Sequence, residues 1–155
     1  MVIAINEEVL AHLIKRGIDI ETILADVLFQ LLIVEEDDSR RRKIYELLRD
    51  TECDKVTLIR CFRIFSSDIL QIPVGREHKF EEMFTTQRIS ILKNYVKIIR
   101  DFYKYLIEDI RQALEENVID KSKVEKTLPH LERLLERKEN QLTLIEKLLK
   151  GSQLR

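Results

Sequence analysis

Glycine and proline are nearly missing: the 155 residues contain three Gly, two Pro and no Trp. A β-sandwich or barrel of this length needs frequent turns built on Gly, Pro, Asn and Asp, so that scarcity excludes a β-rich fold. Three isolated glycines also exclude a Gly-rich phosphate loop. Cysteine is equally rare. Cys53 and Cys61 stand eight apart with no signal peptide before them, which argues against a disulfide framework, and no histidine pair joins them into a zinc site. They read as small buried hydrophobes. Long apolar runs are absent too, since the stretch from Val27 to Val34 is broken by Gln30 and is far too short to cross a membrane. The N-terminus lacks a basic leader, so the expected setting is soluble and cytoplasmic.

What is present favours helices: 35% of residues are charged and 45% apolar. Asn6 followed by Glu7 and Glu8 predicts a helix start, and Val9, Leu10, Leu13 and Ile14 give an apolar stripe that Lys15, Arg16 and Gly17 close. A second helix is expected from Asp19, with Ile20, Ile23, Leu24, Val27, Leu28, Leu31 and Leu32 at helical spacing. The acids up to Asp38 and the bases after Ser39 fit either a continuous helix with pairs such as Glu36–Arg40 and Asp38–Arg42 or a break. Charge at the helix ends favours a break or sharp bend, with Asp38 or Ser39 capping a third helix to about Asp50. Val56, Leu58, Ile59, Phe62, Phe65 and Ile69 suggest a fourth helix over 55–72, although the β-branched and aromatic content also fits a strand. Pro73 and Gly75 then mark the best internal boundary.

From Lys79 to about Asn117 no Gly or Pro interrupts 39 residues, which predicts one helix of about 58 Å at about 1.5 Å per residue. A turn at Val118–Asp120 leads to a final helix in which Leu128, Leu131, Leu135, Leu142, Ile145 and Leu149 repeat as a heptad interrupted only by Lys138. Pro129 either opens that packed portion or kinks it, and Gly151 should end the ordered chain. The expected fold is therefore all-α. An N-terminal bundle of about four short helices (1–72) precedes a long antiparallel, coiled-coil-like hairpin (76–155) that packs on it.

The net charge of −1 conceals an asymmetry: residues 1–38 hold two basic and nine acidic side chains, whereas 39–78 hold nine and six and 79–155 hold sixteen and thirteen. There is no chain-wide basic excess of the kind that marks a dedicated nucleic-acid binder. A local one exists. Lys93, Lys97, Arg100, Lys104 and Arg111 fall within an arc of about 60° on the long helix, opposite Tyr95, Phe102 and Leu106, and should face away from the hairpin seam. A solvated face, an electrostatic contact to an acidic protein patch such as the 1–38 segment of a second copy, and phosphate binding are the three readings of that stripe. The same helix has a wide apolar face. Ile89, Val96, Tyr103, Ile107 and Leu114 extend its seam on one side and Ile91, Ile98 and Tyr105 on the other, more than one partner helix can cover.

The N-terminal order of an alternating lead-in (Val2, Ile3, Ala4, Ile5), a helix from Glu7 to Arg16, a Gly-Ile-Asp turn and a second helix from Ile20 loosely resembles a ribbon-helix-helix DNA-binding module. That resemblance implies a strand inserted into DNA and covers about the first 33 residues. In that family the strand presents polar or basic side chains, whereas the outward positions here are Val2, Ala4 and Asn6 or the apolar Ile3 and Ile5, and the segment's acidity repels phosphate. A helix-turn-helix drawn through Thr51–Asp54, with Lys55, Arg60 and Arg63 as contacts, lacks the usual Gly and adds acids to the turn. Catalysis has little support: His12, His78 and His130 are scattered, and His78 with Glu81 or Glu82 is the only pairing at ligand spacing.

The expected function is thus a non-catalytic interaction or assembly module without cofactor, metal, membrane or small-molecule substrate. It is expected to self-associate or to join a larger complex. The hairpin leucines supply a packing or oligomer seam and the basic stripe an electrostatic contact. The alternatives are phosphate contact through that stripe and DNA regulation through the N-terminal helices.

Overall fold

The computed structural model describes residues 5–71 and 77–153, and every statement below concerns those residues. Four long helices account for nearly all of them, with no strand: α1 (Glu7–Val34), α2 (Asp38–Phe65), α3 (Thr85–Glu115) and α4 (Lys121–Gln153). One 3₁₀ turn, Phe80–Glu82, precedes α3. Pro73, Gly75 and the lead-in Val2–Ala4 lie outside the described residues.

The N-terminal half is two helices, not four short ones. Asn6 does cap α1, its Oδ1 accepting from the Val9 amide at 2.8 Å, but the helix runs straight through Gly17. The missing side chain lets α3 come close there: a Cβ on Gly17 would lie 3.0 Å from Phe102 Cε1 and 3.5 Å from Leu58 Cδ1. Gly17 is therefore a packing residue rather than a stop, and the turn required by the ribbon-helix-helix resemblance is absent. The expected break between the acids and bases is present, with Asp37 as the cap: its carboxylate accepts from the Arg40 amide at 2.9 Å. Glu35 braces the turn by accepting from the Asp37 amide at 3.2 Å and from Arg40 Nε at 2.8 Å.

The second expected break, around Thr51–Asp54, is also helical. Thr51 is buried, and its hydroxyl donates to the Leu47 carbonyl at 2.7 Å, which satisfies a polar side chain without breaking the ladder. The ambiguous segment after residue 55 is helix as far as Phe65 and irregular from Ser66 to Gln71. Cys61 is buried as expected, with its thiol pushed up to about 11 by desolvation, whereas Cys53 is exposed. Both are free thiols.

In the other half α3 begins six residues later than Lys79, because Phe80 is buried and the 3₁₀ turn around it accepts Arg88 Nε on the Phe80 carbonyl at 2.6 Å. Asn117 takes a left-handed backbone (φ 57°), a conformation Asn tolerates, and turns the chain toward α4. Asp120 starts α4 by accepting from the Ser122 amide at 2.9 Å. Pro129 sits inside α4 on its exposed face, and Gly151 is still helical.

Each helix packs antiparallel to its neighbours in the order α2, α1, α3, α4, and α4 returns to α2. The direction follows from the end contacts. Gln30 near the end of α1 accepts from the His78 amide just ahead of α3 at 2.9 Å. Glu7 at the start of α1 pairs with Lys123 at the start of α4 at 2.9 Å, and Lys123 Nζ also lies 5.9 Å from the Phe65 ring at the end of α2. One hydrophobic cluster joins residues of all four helices, among them Leu10, Leu28, Leu58, Leu92, Ile110 and Leu131. No helix is long and apolar enough to cross a membrane.

Gly17 supplies the test of this packing. Alanine gains up to about 1 kcal/mol of helix propensity but must move a half-exposed Phe102 ring by a few tenths of an ångström, so Gly17→Ala should leave stability within about 1 kcal/mol of wild type. Gly17→Leu, which has to displace α3, should lose about 2–3 kcal/mol. Urea midpoints of the two variants check this; a well-tolerated leucine would mean that α1 and α3 are not in close contact.

Candidate functional site

The most unusual chemistry lies in the middle of the bundle, where one charged layer takes a side chain from every helix. Lys138 is 0% exposed. Its ammonium donates to Glu21 Oε2 of α1 at 2.9 Å, to Asp54 Oδ2 of α2 at 3.2 Å and to Gln141 Oε1 one turn along α4 at 3.2 Å. Those three bonds are the full donor capacity of an ammonium. Tyr103 of α3, also fully buried, donates its hydroxyl to the other Glu21 oxygen at 2.7 Å. Arg137 closes the rim by donating to Asp54 Oδ1 at 2.8 Å, its own side chain 45% exposed. Two carboxylates thus face two cations, one buried and one at the edge.

Local periodicity explains the arrangement. Lys138 occupies the core position that interrupts the heptad of α4, between Leu131 and Ile145, and so cannot reach water. Glu21 and Asp54 project from the same buried faces as Leu24 and Leu58. Burial raises the Glu21 carboxyl above its ordinary range, with Lys138 and the Tyr103 hydroxyl pulling the other way and the Asp54 charge adding to the rise. Asp54 is raised for the same reason, opposed by Lys138 and Arg137. Desolvation and the neighbouring Glu21 carboxylate push the Tyr103 phenol well above its usual value. A group this dry cannot exchange atoms with a dissolved substrate. What the layer does is fix the mutual register of four helices.

No family model matches the chain, and neither does any curated protein or solved structure. The remaining candidate residues are therefore placed by geometry alone.

The basic stripe of α3 does not face away from the hairpin seam; it borders α4. Lys93 pairs with Glu146 at 3.5 Å and Arg111 with Glu132 at 2.9 Å, both across the hairpin, while Arg100 bonds Asp101 beside it at 2.9 Å. The reason is that the buried face of α3 is centred between Ile99 and Tyr103 rather than on Phe102, which rotates the stripe toward α4. Lys97 and Lys104 stay exposed and make no ion pair among the described residues. A groove of about 590 Å³ beside Arg100 and Lys104 is also lined by Glu139 and Glu146, so its charge is mixed.

The α4 leucines divide. Leu131, Leu142 and Ile145 are buried in this chain's own bundle, and Leu128, Leu135 and Leu149 are half-buried against the same core. The seam expected to join copies is therefore already covered by α3 and its neighbours. Sequence reasoning took Lys138 as a flaw in that seam and passed over Glu21 and Asp54. A lone lysine in a heptad was the one available signal.

Two smaller expectations also shift. His78 turns from Glu81 and Glu82 to meet the Tyr95 hydroxyl at 3.0 Å and to stack on Phe80 at 4.9 Å. No three His, Cys, Asp or Glu side chains are grouped to hold a metal ion among the described residues.

Lys138→Met removes the cation that pulls both buried carboxyls down, leaving Glu21 with no cation and Asp54 with Arg137 alone, and should cost about 3–5 kcal/mol near neutral pH. The sign with pH follows. Both carboxyls are raised in the folded state, so the fold binds more protons than the unfolded chain and stability falls as pH rises through their raised values. In the variant that fall is steeper, and acid should restore part of the loss. Urea midpoints of wild type and variant from pH 5 to 8 measure it; a difference that does not change with pH would contradict the arrangement.

Proposed function

We propose that this chain is a non-catalytic assembly module, a soluble cytoplasmic subunit that self-associates through the outer edge of α3. The observation that carries this reading is a second heptad on that helix. Starting from the N-cap Phe84, the residues Ile91, Tyr95, Ile98, Phe102 and Tyr105 of α3 follow at intervals of seven, four, three, four and three, the spacing of a helix–helix seam. Tyr95 and Phe102 rest against the bundle core, and Ile91 is half-buried. Ile98 and Tyr105 are 59% and 62% exposed.

The strip continues onto α1. Gly17 meets Phe102, so Leu13 and Ile20, one turn to either side of Gly17, lie at the level of Tyr105 and Ile98, and both are half-buried. An apolar strip of this kind on a highly charged chain is what a partner surface requires. A second copy brings the same strip and, in an isologous contact, its own Ile98 and Tyr105.

The phosphate-binding alternative rests on Lys97 and Lys104, the two stripe cations without an in-chain partner among the described residues. Glu139 and Glu146 line the groove beside Lys104, and Glu132 pairs with Arg111 of the same stripe. These acids oppose a phosphate backbone, so self-assembly accounts for more of the surface.

Sedimentation of the purified chain should show an oligomer at micromolar concentration. Ile98→Glu with Tyr105→Glu, at exposed positions that leave the core intact, should reduce it to the monomer mass without lowering the unfolding midpoint. A wild-type chain that stays monomeric at about 100 μM would defeat self-assembly through this strip.

A further inference from the structure

The outward face of α2 carries a pattern that neither the core nor the α3 strip uses. Arg42, Tyr45, Arg49, Val56, Arg60 and Arg63 fall within an arc of about 60°, opposite the buried Leu47, Thr51, Asp54 and Leu58. Tyr45 and Val56 are 56% and 49% exposed. Arg42 and Arg60 make no ion pair among the described residues, and Arg49 reaches Asp50 only at 3.8 Å. Arg63 is already positioned: it donates to the Asp68 carbonyl at 2.9 Å and its guanidinium lies 6.0 Å from the centre of the Phe62 ring.

A repeat runs through this face. Tyr45 is followed four residues later by Arg49, and Val56 four residues later by Arg60. The two units are eleven residues apart, about 16.5 Å or three turns, and so point in nearly the same direction. Each unit sets one apolar contact beside one guanidinium, and Arg and Tyr are the side chains enriched where interfaces bind most strongly.

We propose that this face of α2 docks an acidic amphipathic helix of a partner protein. Apolar side chains of the partner cover Tyr45 and Val56, and its carboxylates meet Arg49 and Arg60, where each planar guanidinium donates two N–H bonds to a carboxylate. Charge selects a protein over a nucleic acid. Glu46 and Glu52 are exposed among the arginines, with Asp50 beside them, so a continuous phosphate backbone would meet repulsion between its contacts. Carboxylates spaced three turns apart fit between those acids. The inference is independent of self-association through α3, because the two surfaces lie on different helices that do not adjoin in the bundle order.

The test uses the full chain and a fluorescein-labelled synthetic helical peptide carrying leucine and glutamate at eleven-residue intervals, with a control in which lysine replaces glutamate. Fluorescence anisotropy at low salt should show saturable binding of the acidic peptide only. Arg49→Glu with Arg60→Glu should weaken it at least about tenfold, and Tyr45→Ser should weaken it as well, with unfolding midpoints unchanged. Ile98→Glu should leave it unaltered, which separates this surface from the α3 strip. Absence of binding, equal binding by the charge-reversed variant or by the lysine control, or binding of oligouridylate through Arg49 and Arg60 in place of the peptide would each overturn the proposal.

Discussion

The structure depends on one ammonium held in a dry place. Lys138 cannot reach solvent, so its charge is tolerable only while Glu21, Asp54 and Gln141 surround it at hydrogen-bond distance. Removing two carboxylates and an ammonium from water costs several kcal/mol per ion, and their mutual attraction offsets that only in good geometry. A hydrophobic layer would tolerate sliding of one helix against another by a turn. This layer does not, because a shift of α4 by one turn, about 5.4 Å, would strand three buried charges at once. The polar contacts therefore contribute uniqueness of register more than net stability, and the aliphatic layers around Leu131, Ile145 and Leu10 supply the cohesion.

That division explains what could be read from the sequence and what could not. Helical class, the Asn6 cap, the break before α2 and the long uninterrupted α3 all follow from local rules: capping chemistry, charge at helix ends and apolar periodicity. The two failures inside 1–72 have a tertiary origin. Gly17 looked like a helix end because glycine usually is one, but its bare Cα is used by Phe102 of a helix 85 positions further along. Thr51 to Asp54 looked like a turn because of its polar composition, yet Thr51 bonds within its own helix and Asp54 is satisfied from α4. No local signal distinguishes those cases from true breaks.

The candidate site was legible only as an irregularity. A lysine at a heptad core position predicts either a defect or a buried partner, and choosing between them needs the carboxylates that the fold brings from 117 and 84 residues away. The basic stripe shows the opposite difficulty. Its five residues do share one face, as periodicity requires, but the direction of that face depends on which apolar residues become the core. Taking Tyr95 and Phe102 as the centre turned the stripe outward; burial of Val96, Tyr103 and Ile107 turns it toward Glu132 and Glu146. Tyr95 and Phe102 are displaced to the rim by the same rotation.

That rotation links the interior to the surface. Because Tyr103 must point inward to donate to Glu21, its neighbours Phe102 and Tyr105 are placed successively further toward solvent, and Ile98 accompanies them one turn away. The exposed strip on α3 is thus held in place by the buried charge layer rather than by a loop. On α2 the same constraint applies: with Asp54 tied inward, Val56 and Arg60 are turned outward by helical geometry alone. Both outer faces are presented on rigid elements: rotating α3 would break the Tyr103–Glu21 bond, and rotating α2 would break the Lys138–Asp54 bond. A surface fixed in that way loses little conformational entropy when a partner arrives, so a modest apolar and electrostatic contact can suffice for binding.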